Sequence, residues 1–235
     1  MKGRRVIKIG GSLLFTEGKV LDITKIQSFC QIFKKSNNSN TNVIVCGGGM
    51  IARDYINAVR SFYGNEALCD LFGIELSRIN SKLLIASFDD FAYPLVPKSM
   101  EELSMALLFN KIIIMGGLQP GQSTTSVALE VSEFINAEEL IILTDVDGIY
   151  DKDPKKFDDA KLLKSLTYKE LHEIILDSSG DKQAAAGEYR IFDAVSLQIL
   201  KRSNIKTVIM SGKNLIEFEK YWNGEVDITC TIITN

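Results

Sequence analysis

The chain has 235 residues, of which 46% are hydrophobic and 24% charged, and its formal net charge is -3 at pH 7. This length allows one large domain, or two lobes that share a sheet, with an ample core. The ordinary balance of apolar and charged residues argues against disorder and against a membrane protein. The slight negative charge argues against a broad nucleic-acid footprint, so we expect no nucleic-acid partner.

Apolar runs rich in valine and isoleucine predict strands that are buried on both faces. In chain order they cover residues 5–9, 43–46, 111–115, 140–143 and 205–210, with a last strand at 227–233. Helical patterns lie between them, from Asp22 to about Lys35, at 49–63, from about Glu66 to Asp89, and at 194–202. This alternation indicates an α/β fold with a mainly parallel sheet and right-handed crossovers.

Cysteines and the amino terminus point to a cytoplasmic protein. The cysteines form no C-x-x-C pair and share the chain with a single histidine, His172, so we interpret them as reduced packing residues. They are Cys30, Cys46, Cys69 and Cys230. The basic residues 1–5 precede an apolar run that Lys8 interrupts, and this run is too short for a signal peptide or a membrane span.

Three of the predicted strands end in consecutive glycines, at Gly10-Gly11, Gly47-Gly48-Gly49 and Gly116-Gly117. Backbone without side chains allows N–H groups and a helix N-terminus to approach phosphate closely. Because the carboxyl ends of parallel strands meet at one edge of a sheet, we expect a single crevice that holds several phosphates.

Two other glycine motifs, the dinucleotide fingerprint and the P-loop, are alternatives to this interpretation. Residues 47–52 satisfy the dinucleotide pattern G-x-G-x-x-[GA], and Asp70 follows at a suitable distance. In a dinucleotide site that acid ends the next strand, whereas Asp70 lies in a predicted helix, which disfavours an oxidoreductase. A P-loop is excluded because neither Gly18-Lys19 nor Gly212-Lys213 is followed by serine or threonine.

Three charged residues are candidates for chemistry. Lys8 interrupts a buried strand beside a glycine turn, where a phosphoryl group would neutralise the charge of its ammonium. The alternative is a lysine at a sheet edge whose side chain extends to solvent. Arg53 lies one turn into a helix that begins in glycines, where it either holds an anion or is a solvated surface residue. Asp193 either caps the helix at 194–202 or orients Lys8.

Two polar loops follow later strands. Ser123, Thr124 and Thr125 cluster at the start of a helix, and this is more hydroxyl groups than capping requires, which favours ligand binding. After the strand at 140–143, two carboxylates could serve a metal, but Asp147-Gly148 is typical of a plain turn. Tyr150 in the same loop could line a purine pocket.

In this order the residues resemble the amino acid kinase superfamily, and most closely its archaeal type of uridylate (UMP) kinase. The matching segments are 8–12, 47–49, 52–55, 70–74, 78–80, 116–124, 144–150, 152–154 and 192–193. The resemblance implies a carbamate kinase-like, three-layer α/β/α sandwich around a mainly parallel central sheet. It also implies a single domain at 1–235, with an acceptor-binding half at about 1–139 and an ATP-binding half at 140–235.

The resemblance also implies which residues act. The ATP site would comprise Lys8, Gly10, Gly11, Ser12, Gly49, Arg53, Thr144, Asp145, Tyr150 and Asp153. The UMP site would comprise Gly48, Arg53, Asp70, Leu118, Gln119, Pro120, Gly121, Gln122, Ser123 and Thr124. Lys8, Arg53 and Asp193 would be catalytic, and Mg²⁺ would arrive on ATP with no metal site on the protein. The family further implies inhibition by UTP, a homohexamer assembled from dimers and a role in pyrimidine nucleotide synthesis.

Two alternatives stay open beside this expectation. Isopentenyl phosphate kinases of the same superfamily use a histidine shortly after the triple glycine, but His172 is far along the chain. A non-catalytic nucleotide or oxyanion-binding assembly is disfavoured by Lys8 and by the hydroxyl-rich loop. Many relatives place an aspartate where this chain has Thr125 or Ser126, so an organising role there would pass to Asp193 or be absent.

Overall fold

The computed structural model describes residues 4–35, 42–152, 154, 157–179 and 191–235. Across these residues, seven strands form one sheet in the order β3-β2-β1-β4-β6-β7-β5. The strands are β1 (Arg5–Ile9), β2 (Asn42–Cys46), β3 (Ile113–Met115), β4 (Glu139–Thr144), β5 (Ser165–Thr167), β6 (Lys206–Ser211) and β7 (Thr231–Thr234). All neighbours are parallel except β6 and β7, which are antiparallel.

Helices cover both faces of the sheet. They are α1 (Ile23–Lys35), α2 (Gly49–Ser61), α3 (Glu66–Phe88), α4 (Met100–Ala106), α5 (Thr124–Phe134), α6 (Tyr168–Ser179), α7 (Ala194–Ser203) and α8 (Ile216–Trp222). The Asp22 carboxylate accepts from the Lys25 N–H at 3.0 Å, which confirms the predicted start of α1. No helix in the described ranges is both long enough and apolar enough to cross a bilayer.

Alternating strand residues divide the core into two layers. On one face, Val6 and Ile142 pack with residues of α5 and α7, such as Val131 and Leu200. On the other face, Ile7 and its neighbours pack against α1, α3 and α8. An aromatic cluster occupies this second layer, formed by Phe29, Phe33, Phe88, Phe218 and Trp222. The predicted three-layer α/β/α sandwich with a mainly parallel sheet is therefore confirmed.

The predicted strands correspond to β1, β2, β3, β4 and β6, but the final strand begins later than expected. β7 begins at Thr231, because the Thr229 N–H is bonded to the Glu217 carboxylate of α8 at 2.7 Å and does not join the sheet. The short elements β5, α4 and α8 were not predicted, since three to seven residues give little periodic signal. His172 lies exposed on α6, as expected for a helix-face residue.

The carboxyl ends of five parallel strands, β1, β2, β3, β4 and β6, meet at one edge of the sheet. The turns continue the ladder there: the Gly10 N–H donates to Leu143 O, and the Gly47 N–H donates to Ile9 O, both at 3.0 Å. In open α/β sheets this edge is where ligands bind. The three glycine turns follow three adjacent strands, so the expectation that they share one edge is confirmed.

Candidate active site

The first two glycine turns touch each other through their backbones. A Cβ atom added at Gly11 would overlap Gly47 O and Gly49 N, and it would lie 2.6 Å from Gly47 C. A Cβ atom at Gly49 would lie 2.5 Å from Gly11 C, and Gly49 has φ +74°, in the left-handed region. Only glycine permits this approach. The turns after β1 and β2 therefore form one continuous surface of backbone.

Helix α2 begins directly at this surface. Gly48 is its N-cap residue and Gly49 its first residue, and no side chain caps this end. The first-turn N–H groups of a helix lack intrahelical partners and carry a partial positive charge, which suits an anion. The second glycine turn thus has the chemistry of a phosphate site.

Lys8 lies in the middle of the sheet, between Val45 of β2 and Ile142 of β4. Only 7% of its surface is exposed, so the alternative of a side chain that extends to solvent is wrong. Burial lowers the pKa of Lys8 to about 8, and the Asp145 carboxylate partly offsets that effect. The neighbouring Cys46 thiol is neutral in this range, because burial raises its own pKa to about 12. By strand alternation the side chain shares the face of Val6, which α5 and α7 cover. A dehydrated ammonium at this place favours an anionic partner.

Arg53 joins the two turns from the side of α2. Its Nη2–H donates to Ser12 Oγ at 3.2 Å, and the side chain is half-buried, so it is not a solvated surface arginine. The next residue, Asp54, forms an ion pair with Lys19 at 2.5 Å. The Arg53 guanidinium therefore links α2, which follows the second glycine turn, to the Ser12 hydroxyl, which follows the first.

Asp193 is the N-cap residue of α7. Its carboxylate accepts from the Ser196 N–H at 2.7 Å and from the Ser126 hydroxyl of α5 at 3.1 Å, and its own N–H donates to Ser196 Oγ. The capping interpretation is confirmed. The bond from Ser126 ties the first turn of α5 to α7. The carboxylate whose charge acts on Lys8 is that of Asp145.

The third glycine turn and the loop after it lie against α3. Gly116 packs against Ser77, since a Cβ there would come within 2.8 Å of Arg78 N. Ser77 Oγ accepts from the Gly117 N–H at 2.7 Å, and the Arg78 guanidinium donates to Gly117 O at 3.1 Å and Leu118 O at 3.2 Å. The fold therefore holds the start of the predicted base loop by its backbone.

Further along this loop, the Gly121 N–H donates to the Asp70 carboxylate at 2.7 Å. Ser123 caps α5 by accepting from the Ser126 N–H, and Gln122 donates to Glu130 at 3.2 Å. Asp70 belongs to α3 and does not end a strand, which removes the structural basis for the dinucleotide interpretation. Gln119, Pro120 and Gly121 are exposed, whereas Leu118 and Thr124 are half-buried.

Helix α3 contributes contacts that the sequence analysis did not assign. Its buried face carries a polar stripe at helical spacing, and the most involved member is Asn80, which donates to Gly47 O at 2.9 Å and Gly48 O at 3.1 Å. The other members are Ser77 and Ser81, both fully buried. Polar residues at i, i+3 and i+4 on an apolar helix face were the signal available in the sequence.

The expected ATP residues beyond β4 are described in part. Thr144 ends β4 almost fully buried, and its hydroxyl donates to Asp145 Oδ1 at 3.4 Å. Tyr150 is half-buried and bonded through its hydroxyl to Asp147 at 3.3 Å. Asp153 lies outside the described residues. In the described ranges, no three histidine, cysteine, aspartate or glutamate residues come together as a metal site.

Comparisons with known proteins agree with this arrangement. Residues 3–211 match the amino acid kinase family. A uridylate kinase of Methanobrevibacter smithii is 44% identical over 220 residues, which are 94% of this chain and 95% of that protein. A crystal structure of uridylate kinase from Archaeoglobus fulgidus superimposes with a TM-score of 0.80 at 31% identity, covering 100% of both chains. The UMP kinase of Ureaplasma parvum shares the fold with a TM-score of 0.80 at 20% identity, over 100% of both chains. The chain belongs to the amino acid kinase family.

Proposed function

We propose that the chain is a cytoplasmic uridylate kinase, which transfers the γ-phosphoryl group of ATP to UMP and gives ADP and UDP reversibly for pyrimidine nucleotide synthesis. The observation that carries this proposal is the junction of Gly11 with Gly47 and Gly49, where Lys8 and Arg53 supply positive charge. Two phosphate sites that share one backbone surface fit a direct transfer between two phosphorylated molecules. The similar uridylate kinases supply the identity of the acceptor.

The proposal divides one domain, 1–235, into an acceptor-binding half at about 1–139 and an ATP-binding half at 140–235. Lys8 and the turn of Gly10, Gly11 and Ser12 hold the donor phosphates, and Thr144, Asp145, Tyr150 and Asp153 surround the adenine nucleotide. Gly48, Gly49 and Arg53 hold the phosphate of UMP. Asp70 and the loop from Leu118 to Thr124 bind the nucleoside, and the bond between Asp70 and Gly121 supports a common site for them.

The transfer needs positioning and neutralisation of charge, and no covalent enzyme intermediate. The Lys8 ammonium would stabilise charge that develops on the γ-phosphoryl oxygens, and bound phosphate would raise its pKa above the ligand-free value of about 8. Arg53 would orient the attacking phosphate. Asp193 would act as a positioning residue through Ser126. Mg²⁺ bound to ATP would keep phosphate and water ligands and would neutralise the donor phosphates.

A coupled assay of ADP release tests the substrate assignment. We expect UMP to exceed CMP, dUMP and isopentenyl phosphate by about tenfold or more in kcat/KM, because the loop 118–124 would bind the uracil base and Asp70 the ribose hydroxyls. EDTA should abolish turnover, and UTP should inhibit in competition with UMP. Equal rates for all acceptors would contradict the assignment, and isopentenyl phosphate as the best acceptor would indicate the isopentenyl phosphate kinase branch.

Thermal unfolding with ligands separates the remaining alternatives. ATP or UMP should raise the midpoint by mass action, whereas NADH should leave it unchanged. Stabilisation by UMP without ADP release would indicate a non-catalytic nucleotide-binding assembly.

We also propose a homohexamer assembled from three dimers, in which the outer face of α2 and α3 forms the dimer contact. This face exposes aromatic side chains, including the stacked pair Tyr55 and Phe72, whose ring centroids are 6.3 Å apart. Exposed aromatic clusters of this kind are typical of interfaces.

Phe72→Glu is expected to lower the molar mass measured by light scattering. Phe157→Glu, which changes an exposed aromatic residue elsewhere, should leave it unchanged. A monomeric wild type would contradict the assembly.

A further inference from the structure

Asn80 lies on the buried face of α3, with 6% of its surface exposed, directly behind the second glycine turn. Its Nδ2 donates to two consecutive carbonyl oxygens, Gly47 O at 2.9 Å and Gly48 O at 3.1 Å. One amide nitrogen carries two N–H donors, so a single side chain satisfies both carbonyl groups.

These two bonds determine where the N–H groups of the turn point. The Gly47 carbonyl shares a peptide plane with the Gly48 N–H, and the Gly48 carbonyl shares one with the Gly49 N–H. In a planar trans peptide the C=O and N–H groups point in opposite directions. Because both carbonyl groups face Asn80 on α3, both N–H groups point away from α3.

Glycine peptides have little intrinsic preference that would maintain this orientation. Gly48 and Gly49 have no Cβ atom to restrict rotation, and Gly49 already occupies the left-handed region at φ +74°. No side chain caps the start of α2, so the orientation of these planes depends on groups outside the helix. The bond from Asn80 to Gly47 O is buried and the bond to Gly48 O is partly buried, so little water competes with them.

We propose that Asn80 is a positioning residue for phosphoryl transfer: it holds the peptide planes of the second glycine turn so that the Gly48 and Gly49 N–H groups face the acceptor phosphate. This inference rests on the proposed function, because it assigns the acceptor phosphate to that turn. Asn80 acts through the turn and does not touch the substrate. Aspartate of the same shape cannot replace it, since a carboxylate oxygen would face two carbonyl oxygens and add negative charge behind an anion site.

Matched variants on α3 test this role. Asn80→Ala and Asn80→Asp are compared with Ser81→Ala, which removes a buried bond to Ser77 O at 2.8 Å one residue further along the same helix. We expect kcat/KM for UMP to fall by about 100-fold in both Asn80 variants, since small misplacements of reacting groups carry losses of this size. KM for ATP and the activity of Ser81→Ala should stay within about twofold of wild type.

A binding comparison separates positioning of phosphate from general damage. Calorimetry measures the affinity for UMP and for uridine, and the ratio of the two reports what the phosphate contributes. We expect Asn80→Ala to reduce this ratio while uridine affinity and the unfolding midpoint stay close to those of Ser81→Ala. Should Asn80→Ala unfold, Asn80→Ser carries the same comparison, because its short neutral hydroxyl has one donor and cannot satisfy both carbonyl groups.

An unchanged ratio, or equal losses for UMP and uridine, would overturn the role of Asn80. Failure of the proposed function looks different, because the wild type itself would then not turn over UMP. In that case the comparison uses whichever phosphorylated acceptor the wild type does turn over, together with its dephosphorylated form. If the phosphate of that acceptor contributed as much to binding in the Asn80 variants as in the wild type, the role of Asn80 would again be overturned.

Discussion

Replacing Lys8 by methionine is expected to remove most turnover and, at the same time, to stabilise the ligand-free protein. In the proposed mechanism the variant loses the ammonium that would face the transferring phosphoryl group, and loss of one such electrostatic contact lowers kcat by about 10² to 10³-fold. UMP binding should persist, because the second glycine turn and Arg53 remain in place. Steady-state kinetics and calorimetry measure the two effects separately.

The gain in stability follows from the pKa of Lys8. Burial lowers that pKa from 10.5 to about 8, and the Asp145 carboxylate partly opposes the shift. Below pH 8 both folded and unfolded chains hold the proton, and the folded chain bears the cost of a buried charge, on the order of 3 kcal/mol. Methionine of similar volume removes this cost, so the free energy of unfolding should rise.

The same pKa predicts a pH dependence. Between about pH 8 and 10.5 the unfolded chain binds more protons at this site than the folded chain, so the Lys8 contribution makes stability rise with pH. The Lys8→Met variant should lack this contribution. In the wild type, kcat/KM for ATP should decline as pH passes about 8 and the ammonium loses its proton. Urea unfolding and rate profiles across this range provide the measurements.

Lys82→Met serves as the control, since Lys82 is exposed on α3. It should change neither activity nor the pH dependence of unfolding. A Lys8→Met variant that retains wild-type kcat would contradict the assigned role, and one that is clearly less stable than wild type would contradict the electrostatic account.

Gly11→Ala is expected to disable both substrate sites through one methyl group. The added Cβ would overlap Gly47 O and Gly49 N, so the turn after β1 and the turn after β2 must separate. Separation of the donor and acceptor phosphates should lower kcat by about 100-fold or more, because alignment of reacting groups is lost. Overpacking of this kind also destabilises by about 1–3 kcal/mol.

Gly18→Ala is the matched control for this substitution. It lies in the loop that follows the same turn, and its added Cβ would meet only Thr16 Oγ1, at 3.8 Å. Activity and the unfolding midpoint should remain close to wild type. Turnover by Gly11→Ala at more than about half the wild-type rate would show that the two turns do not need their backbone contact for alignment.

Much of the fold was accessible from local sequence patterns. Continuous apolar runs predicted β1, β2, β4 and β6 closely. The helical spacing of the apolar residues around Asp70 correctly argued against a dinucleotide site. The capping role of Asp193 was also predicted, because the signal for a cap is confined to a few adjacent residues. The start of β7 was misplaced, since the bond from Thr229 to Glu217 removes that segment from the sheet.

Site contacts between distant residues required the tertiary structure. Arg53 and Ser12 are 41 residues apart, and Ser126 and Asp193 are 67 apart, so no local pattern indicates that they bond. Both interpretations of Lys8 were open until its place in the interior strand β1 became known. Asn80 belonged to a matching segment, but its role depends on two carbonyl groups more than 30 residues earlier.

The sequence by itself determined the carboxyl ends of the five strands that meet at the site, the glycine turns and the residue types suited to phosphate, because strand periodicity and glycine freedom are local properties of the chain. The tertiary structure decided which turns touch, which charge is buried and which side chains hold the turns in place. Parallel strands bring their carboxyl ends together only through long crossovers, and the contacts at that edge are set by packing across the whole sheet. The site is therefore composed of locally encoded parts whose alignment is a property of the assembled fold.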